Sequence, residues 1–172
     1  TQKGKVNRMT YAIIYQSESG NTRKIAETIY DSIQAKEKQL ISLNESREVP
    51  RADVYLIGGG VHDGTLSLDL LDCLDEIEGG KIALFLTCGF LPTDQYKERL
   101  EKAMAVWLPD EAQYLGMFLC QGAVGEVQQK RMREKMPEVA QKLVRMFEMG
   151  NGHPDEEDME KAREFARCIE KL

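Results

Sequence analysis

Six consecutive residues near the start of the chain could do chemistry together: Ser17-Glu18-Ser19-Gly20-Asn21-Thr22. Three hydroxyls and an amide crowd around one glycine, with no lysine or arginine among them. Neutral donors at that density suit an anion held by hydroxyls and backbone N–H groups, phosphate above all. Two common phosphate loops are excluded. G-x-x-x-x-G-K-[ST] requires a lysine that this stretch lacks, and G-x-G-x-x-G requires glycines beyond Gly20. A serine-rich turn ahead of a helix also serves as a simple N-cap, so the reading depends on what flanks it.

An apolar, β-branched run, Ala12-Ile13-Ile14-Tyr15, precedes the loop, and Ile25, Ala26, Ile29 and Ile33 follow at helical spacing. Strand, polar loop and helix would aim the loop's donors and the helix's positive end at one spot. The rest of the chain continues the alternation. Leu40–Leu43 reads as a second strand, and 44–50 as a loop or a single turn. Val54–Ile57 reads as a third strand buried on both faces, leaving through Gly58-Gly59-Gly60. Ser67 is expected to cap a helix carrying Leu70, Leu71, Leu74 and Ile77, which Gly79-Gly80 stop. Ile82–Leu86 is a fourth strand ending at Thr87-Cys88-Gly89-Phe90. Pro92-Thr93-Asp94 opens a helix whose apolar face is Tyr96, Leu100, Met104 and Trp107. Tyr114–Cys120 is a fifth strand, and a loop at 121–125 leads into helix up to Met149, divided or bent by Pro137. Four acids, Asp155 to Asp158, fill the first turn of a last helix, as its dipole favours. Met159, Ala162, Ala166 and Ile169 face inward there, and His153 is expected to cap it.

Strands alternating with helices give an α/β fold, a five-stranded parallel sheet of order 2-1-3-4-5 between helical layers. Ligands in such sheets sit outside the carboxyl ends of the strands, at the switch point beside the first. The loops there are 16–22, 58–66 and 87–93, the short loops richest in glycine and hydroxyls.

With these loops in view, the chain resembles the flavodoxin family over about residues 10–148. The loop S-x-S-G-N-T is similar to the T/S-x-T/S-G-x-T loop that binds the FMN phosphate. The resemblance implies a flavodoxin-like three-layer sandwich, with the last helix (155–171) additional to the minimal five. It implies FMN as cofactor, its phosphate held by Ser17, Glu18, Ser19, Gly20, Asn21 and Thr22. Gly59-Gly60-Val61-His62-Asp63-Gly64 would face the inner side of the flavin ring, and Thr87-Cys88-Gly89-Phe90 the outer side. An Asp63-Gly64 peptide could hydrogen-bond the ring. His62 and Phe90 stand where many flavodoxins carry Trp and Tyr. The inner loop, V-H-D-G-T-L-S, is also similar to the x-A-G-x-L form of oxidoreductases of the protoporphyrinogen oxidase type. Gln121-Gly122 makes a weaker candidate contact.

Composition narrows the function. The 172-residue chain carries a net charge of −6, which argues against nucleic acid; an acidic surface suits docking on basic patches of partner proteins. No window approaches ~18 uninterrupted apolar residues, so no membrane span is expected. Residues 1–9 read as an N-terminal extension or cloning remnant ahead of a single domain at 10–172. Four scattered cysteines without C-x-x-C suggest reduced thiols in a cytoplasmic protein. Only His62 and His153 are present, and G-x-S-x-G is absent, so no metal cluster and no catalytic residue is expected. The leading expectation is an FMN electron carrier, monomer or homodimer, between a reductase and an acceptor enzyme. The alternatives are an FMN-dependent oxidoreductase acting on a quinone or other small substrate, and a regulatory module without flavin.

Overall fold

The computed structural model describes residues 8–172; the first seven residues of the expected extension lie outside them. Five parallel strands form one sheet in the order β2-β1-β3-β4-β5, with β1 at Tyr11–Tyr15, β2 at Lys38–Ser42, β3 at Val54–Gly60, β4 at Gly80–Cys88 and β5 at Ala112–Gln121. Among the described residues six α-helices surround it: α1 (Asn21–Ser32), α2 (Leu68–Asp75), α3 (Asp94–Ala105), α4 (Glu126–Lys135), α5 (Ala140–Gly150) and α6 (Glu156–Glu170). The flavodoxin-like sandwich and its strand order are as expected.

Alternation along the strands divides the core. Tyr11, Ile13 and Tyr15 of β1 pack with Phe85 against α1 and α6, while Ala12 and Ile14 pack with Ile57 and Leu84 against α2 and α3. The additional helix, α6, therefore completes a layer, burying Ala162, Ala166 and Ile169 beside α1. Met9 also packs against this cluster, one residue ahead of the expected domain start. Thr10 donates through its N–H and hydroxyl to Asp53 (2.8 and 2.9 Å), tying the start of β1 to that of β3 and holding the Asp53 carboxyl below its usual range.

Three readings change, and the break at Pro137 stands. Strand β3 does not stop at Ile57 but runs through all three glycines, which pair with Phe85, Leu86 and Thr87. Their missing side chains make room: a Cβ on Gly58 would lie 1.9 Å from the Phe85 ring, and one on Gly59 would lie 2.3 Å from Leu70. Trp107 is about half exposed, because α3 ends at Ala105, before it. Pro137 does end α4, and a 3₁₀ turn at Pro137–Val139 separates it from α5. His153 does not cap α6. Asp155 does, in a capping box with Asp158, and His153 Nδ1 lies 2.6 Å from Asp158 Oδ2, bracing that box from outside.

No helix follows β2; residues 43–53 cross to β3 as loop. This loop serves the site, since Asn44 Oδ1 accepts from Ser17 N–H at 3.0 Å. Among the described residues, no helix is long and apolar enough to cross a membrane.

Candidate functional site

A cleft of about 590 Å³ opens at the carboxyl ends of β1, β3 and β4, within the ~300–1,000 Å³ usual for small-molecule sites. All three strand-end loops meet there. The first loop starts where Gln16 N–H bonds Gly58 O (3.1 Å) and the Gln16 side chain reaches Asp69 Oδ2 (2.9 Å) and Ser67 Oγ, both at the start of α2. Ser17 Oγ accepts from Gly20 N–H (3.1 Å), folding the loop on itself. Gly20 is the N-cap of α1 at φ 92°, a left-handed conformation that glycine adopts without strain. It offers no capping side chain, so the first N–H groups of α1 stay available to a ligand. Asn21 and Thr22 lie in the first turn. Asn21 Nδ2 donates to Ala123 O (2.9 Å), and the buried Thr22 hydroxyl meets that of Thr87 at 2.9 Å. Ser17, Glu18, Ser19, Asn21 and Thr22 line the cleft, with Gly20 shaping the loop behind them.

The second wall is a tight turn. His62 and Thr65 exchange backbone hydrogen bonds at 2.9 and 3.1 Å, and the residues between them, Asp63 (φ 50°) and Gly64 (φ 78°), both have positive φ. Asp-Gly is the pair such a turn favours. The Thr65 hydroxyl beneath it is buried and has no hydrogen-bond partner among the described residues, so the two backbone bonds close the turn. Gly60, Val61, His62, Asp63 and Gly64 line the cleft, whereas Gly59 lies beneath Leu70. His62 is exposed, its ring about 3.4 Å from where a Gly60 Cβ would be.

Thr87, Cys88, Gly89 and Phe90 form the third wall, with Phe90 braced edge-on by Tyr96 (centroids 5.8 Å apart, 61° between planes). Burial pushes the Cys88 and Cys73 thiols up to about 12 and raises Cys120 as well. Cys88 Sγ faces the carbonyls of Phe90 and Cys120 at 3.2 and 3.6 Å. It is a packing thiol. Alkylation with iodoacetamide at pH 8 is expected to modify the exposed Cys168 and leave the three buried cysteines free until the chain unfolds. Fast labelling of Cys88 in the folded protein would contradict this reading.

Of a fourth wall, the sequence points only to Gly122. Gly122 to Gly125 line the cleft, followed by Gln128, Arg131, Met132 and Lys135 of α4 and then Met136. Gln121 itself turns away, donating to Gly89 O (3.1 Å) and Met146 O (3.0 Å), which ties β5 to the third wall and to α5. A Cβ on Gly122 would sit 2.6 Å from Asn21 Nδ2, so this glycine lets the first loop approach. The signal in the sequence was the spacing 128, 131/132, 135/136, one helical face of long side chains, but without an apolar pattern it read as a solvated surface.

Comparison with known proteins agrees with this fold. The sequence model of the flavodoxin domain matches residues 12–167. The flavodoxin-like domain-containing protein BilS of Clostridioides difficile (strain CD3) is 30% identical over 168 residues, covering 92% of this chain and 95% of that protein. A flavodoxin of Streptococcus pneumonia TIGR4 superimposes with a TM-score of 0.59 at 15% identity, over 95% of this chain and 99% of that one. A flavoprotein of Lactobacillus acidophilus NCFM, solved in complex with FMN, gives 0.50 at 20% identity, over 64% of this chain and 93% of its own. With the sheet order, the hydroxyl loop at the switch point and a domain match over almost its whole length, this chain belongs to the flavodoxin domain family.

Proposed function

We propose that this protein binds FMN in the cleft and carries electrons between partner proteins. The observation that carries the reading is the loop at the start of α1. An uncapped helix N-terminus, a left-handed glycine and a ring of hydroxyl and amide side chains converge there without a lysine, which fits a terminal phosphate held by neutral donors. When bound, the flavin supplies the electron chemistry. The chain's residues do the rest. Ser17, Ser19, Asn21 and Thr22 orient the phosphate end. The turn at Asp63-Gly64 presents backbone groups to one side of the ring, and Phe90, braced by Tyr96, covers the other. Gln128, Met132 and Met136 narrow the mouth and exclude water.

An absorption spectrum of the purified protein, with the released chromophore identified by mass, tests the proposal. One FMN per chain is expected, and apoprotein should quench the fluorescence of added FMN. A colourless protein that leaves added FMN fluorescent would overturn it. The wall contributed by α4 favours a second reading, an FMN-dependent oxidoreductase with a small substrate seated beneath that helix. Repeated turnover of a quinone by purified holoprotein with NADH or NADPH, no other protein present, would select it.

A further inference from the structure

Helix α4 crosses the cleft as a strap. At its N-terminal end the preceding loop is fastened to the phosphate loop by Asn21 Nδ2 donating to Ala123 O. At its other end Lys135 Nζ lies 3.8 Å from Asp63 Oδ1 in the opposite turn. Between them the helix buries no side chain and rests against α5 and the 3₁₀ turn. Its ten residues carry four cations and two acids, in a chain whose net charge is −6. Two of those cations, Arg131 and Lys135, line the cleft. The Lys135 charge is balanced by Asp63, whereas Arg131 makes no ion pair among the described residues. Arg131 sits one turn before Lys135 on the same face, ~6 Å along the helix from it, and six residues, ~9 Å, after Gly125. Along the helix axis it therefore lies closer to the Lys135 end, which meets the Asp63 turn, than to the Gly125 end.

We infer that Arg131 sets the energy of the electrons held in this cleft by favouring the reduced over the oxidised flavin; the inference rests on the FMN reading above. Oxidised flavin takes up two electrons and one proton, so its ring system gains one negative charge, the electrons coming from dithionite in the test below. An unpaired guanidinium on the cleft wall stabilises that added charge and does little for the neutral oxidised ring. The other charges on the cleft wall do not cancel it: Glu18 belongs to the phosphate loop and Asp63 is already paired with Lys135. Arg131 acts here as a tuning residue, with no proton or bond of its own to transfer.

Potentiometric titration of the FMN holoprotein with dithionite and a reference dye measures the effect. Arg131→Gln is expected to weaken the preference for reduced FMN by about three- to tenfold, lowering the two-electron midpoint by about 15–30 mV. Arg131→Lys should keep most of the wild-type value and Arg131→Glu should double the shift. Arg133→Gln, on the same helix but off the cleft wall, should change nothing, and added salt should shrink the difference. An unchanged midpoint in both Arg131→Gln and Arg131→Glu overturns the inference. So does an equal loss of affinity for oxidised and reduced FMN, which would assign Arg131 to the phosphate. If apoprotein of normal fold binds no FMN at all, the cofactor reading fails instead.

Discussion

Gly58→Ala is expected to destabilise the fold by about 3 kcal/mol or more, the upper end of the overpacking range, and to lower Tm by about 6–12 °C for a domain of this size. The added methyl would lie 1.9 Å from Cε2 of Phe85, which is fully buried and directly paired with Gly58 across β3 and β4. The ring is hemmed in by Ile13, Leu56 and α1 within one core cluster, so either it leaves its rotamer or the strands part. The strain has a route to the site, because Gly58 O accepts the N–H of Gln16, the residue that starts the phosphate loop. Phe85→Leu in the Gly58→Ala background should recover part of the loss although Phe85→Leu alone is destabilising, a non-additivity expected of two residues in contact. Gly125→Ala is the control, since a Cβ there meets nothing within 4 Å. If Gly58→Ala melts within a degree of wild type, the glycine is not there to admit the ring.

The same glycines show where sequence reasoning reached and where it stopped. Strand order and the three switch-point loops were legible because buried parallel strands are short continuous apolar runs, and the loops between them are dense in glycine and hydroxyls. The run Gly58-Gly59-Gly60 reads as a strand exit because glycine is a weak strand former. In the fold it stays in β3, since close approach by Phe85 and Leu70 outweighs that local preference. Tertiary packing set the strand's end, and one sequence carries no direct record of it. Helix α6 was legible as an amphipathic helix, but its packing on α1, which makes it part of the core, depends on the path through α4 and α5. Those two helices were the least legible. The stripe of α4 that faces the cleft buries nothing, so hydrophobic periodicity could not reveal it, and only the Asn21–Ala123 and Lys135–Asp63 contacts show that it crosses the mouth.

In binding, the largest effect should come from removing the phosphate. Riboflavin, which lacks it, is expected to bind apoprotein about 10²- to 10⁴-fold more weakly than FMN, the equivalent of two hydrogen bonds to a charged group at roughly 1.5–3 kcal/mol each. Thr22 allows a sharper test. Its hydroxyl is buried 2.9 Å from that of Thr87, and a hydroxyl has one proton and two acceptor positions. If Thr87 donates to Thr22, the Thr22 proton is left pointing at the cleft. Thr22→Val then removes a donor to the phosphate and leaves the Thr87 hydroxyl without its partner. FMN affinity should fall about 10- to 100-fold while riboflavin affinity stays put. Thr87→Val should cost FMN less, because Thr22 keeps its proton for the ligand. Fluorescence-quenching titrations of the apoproteins with both flavins measure all of this. Equal affinities of wild type for FMN and riboflavin would remove the phosphate from the loop at 17–22. Equal losses for both flavins in Thr22→Val would make that hydroxyl a structural brace of the α1 entrance, with no part in holding the ligand.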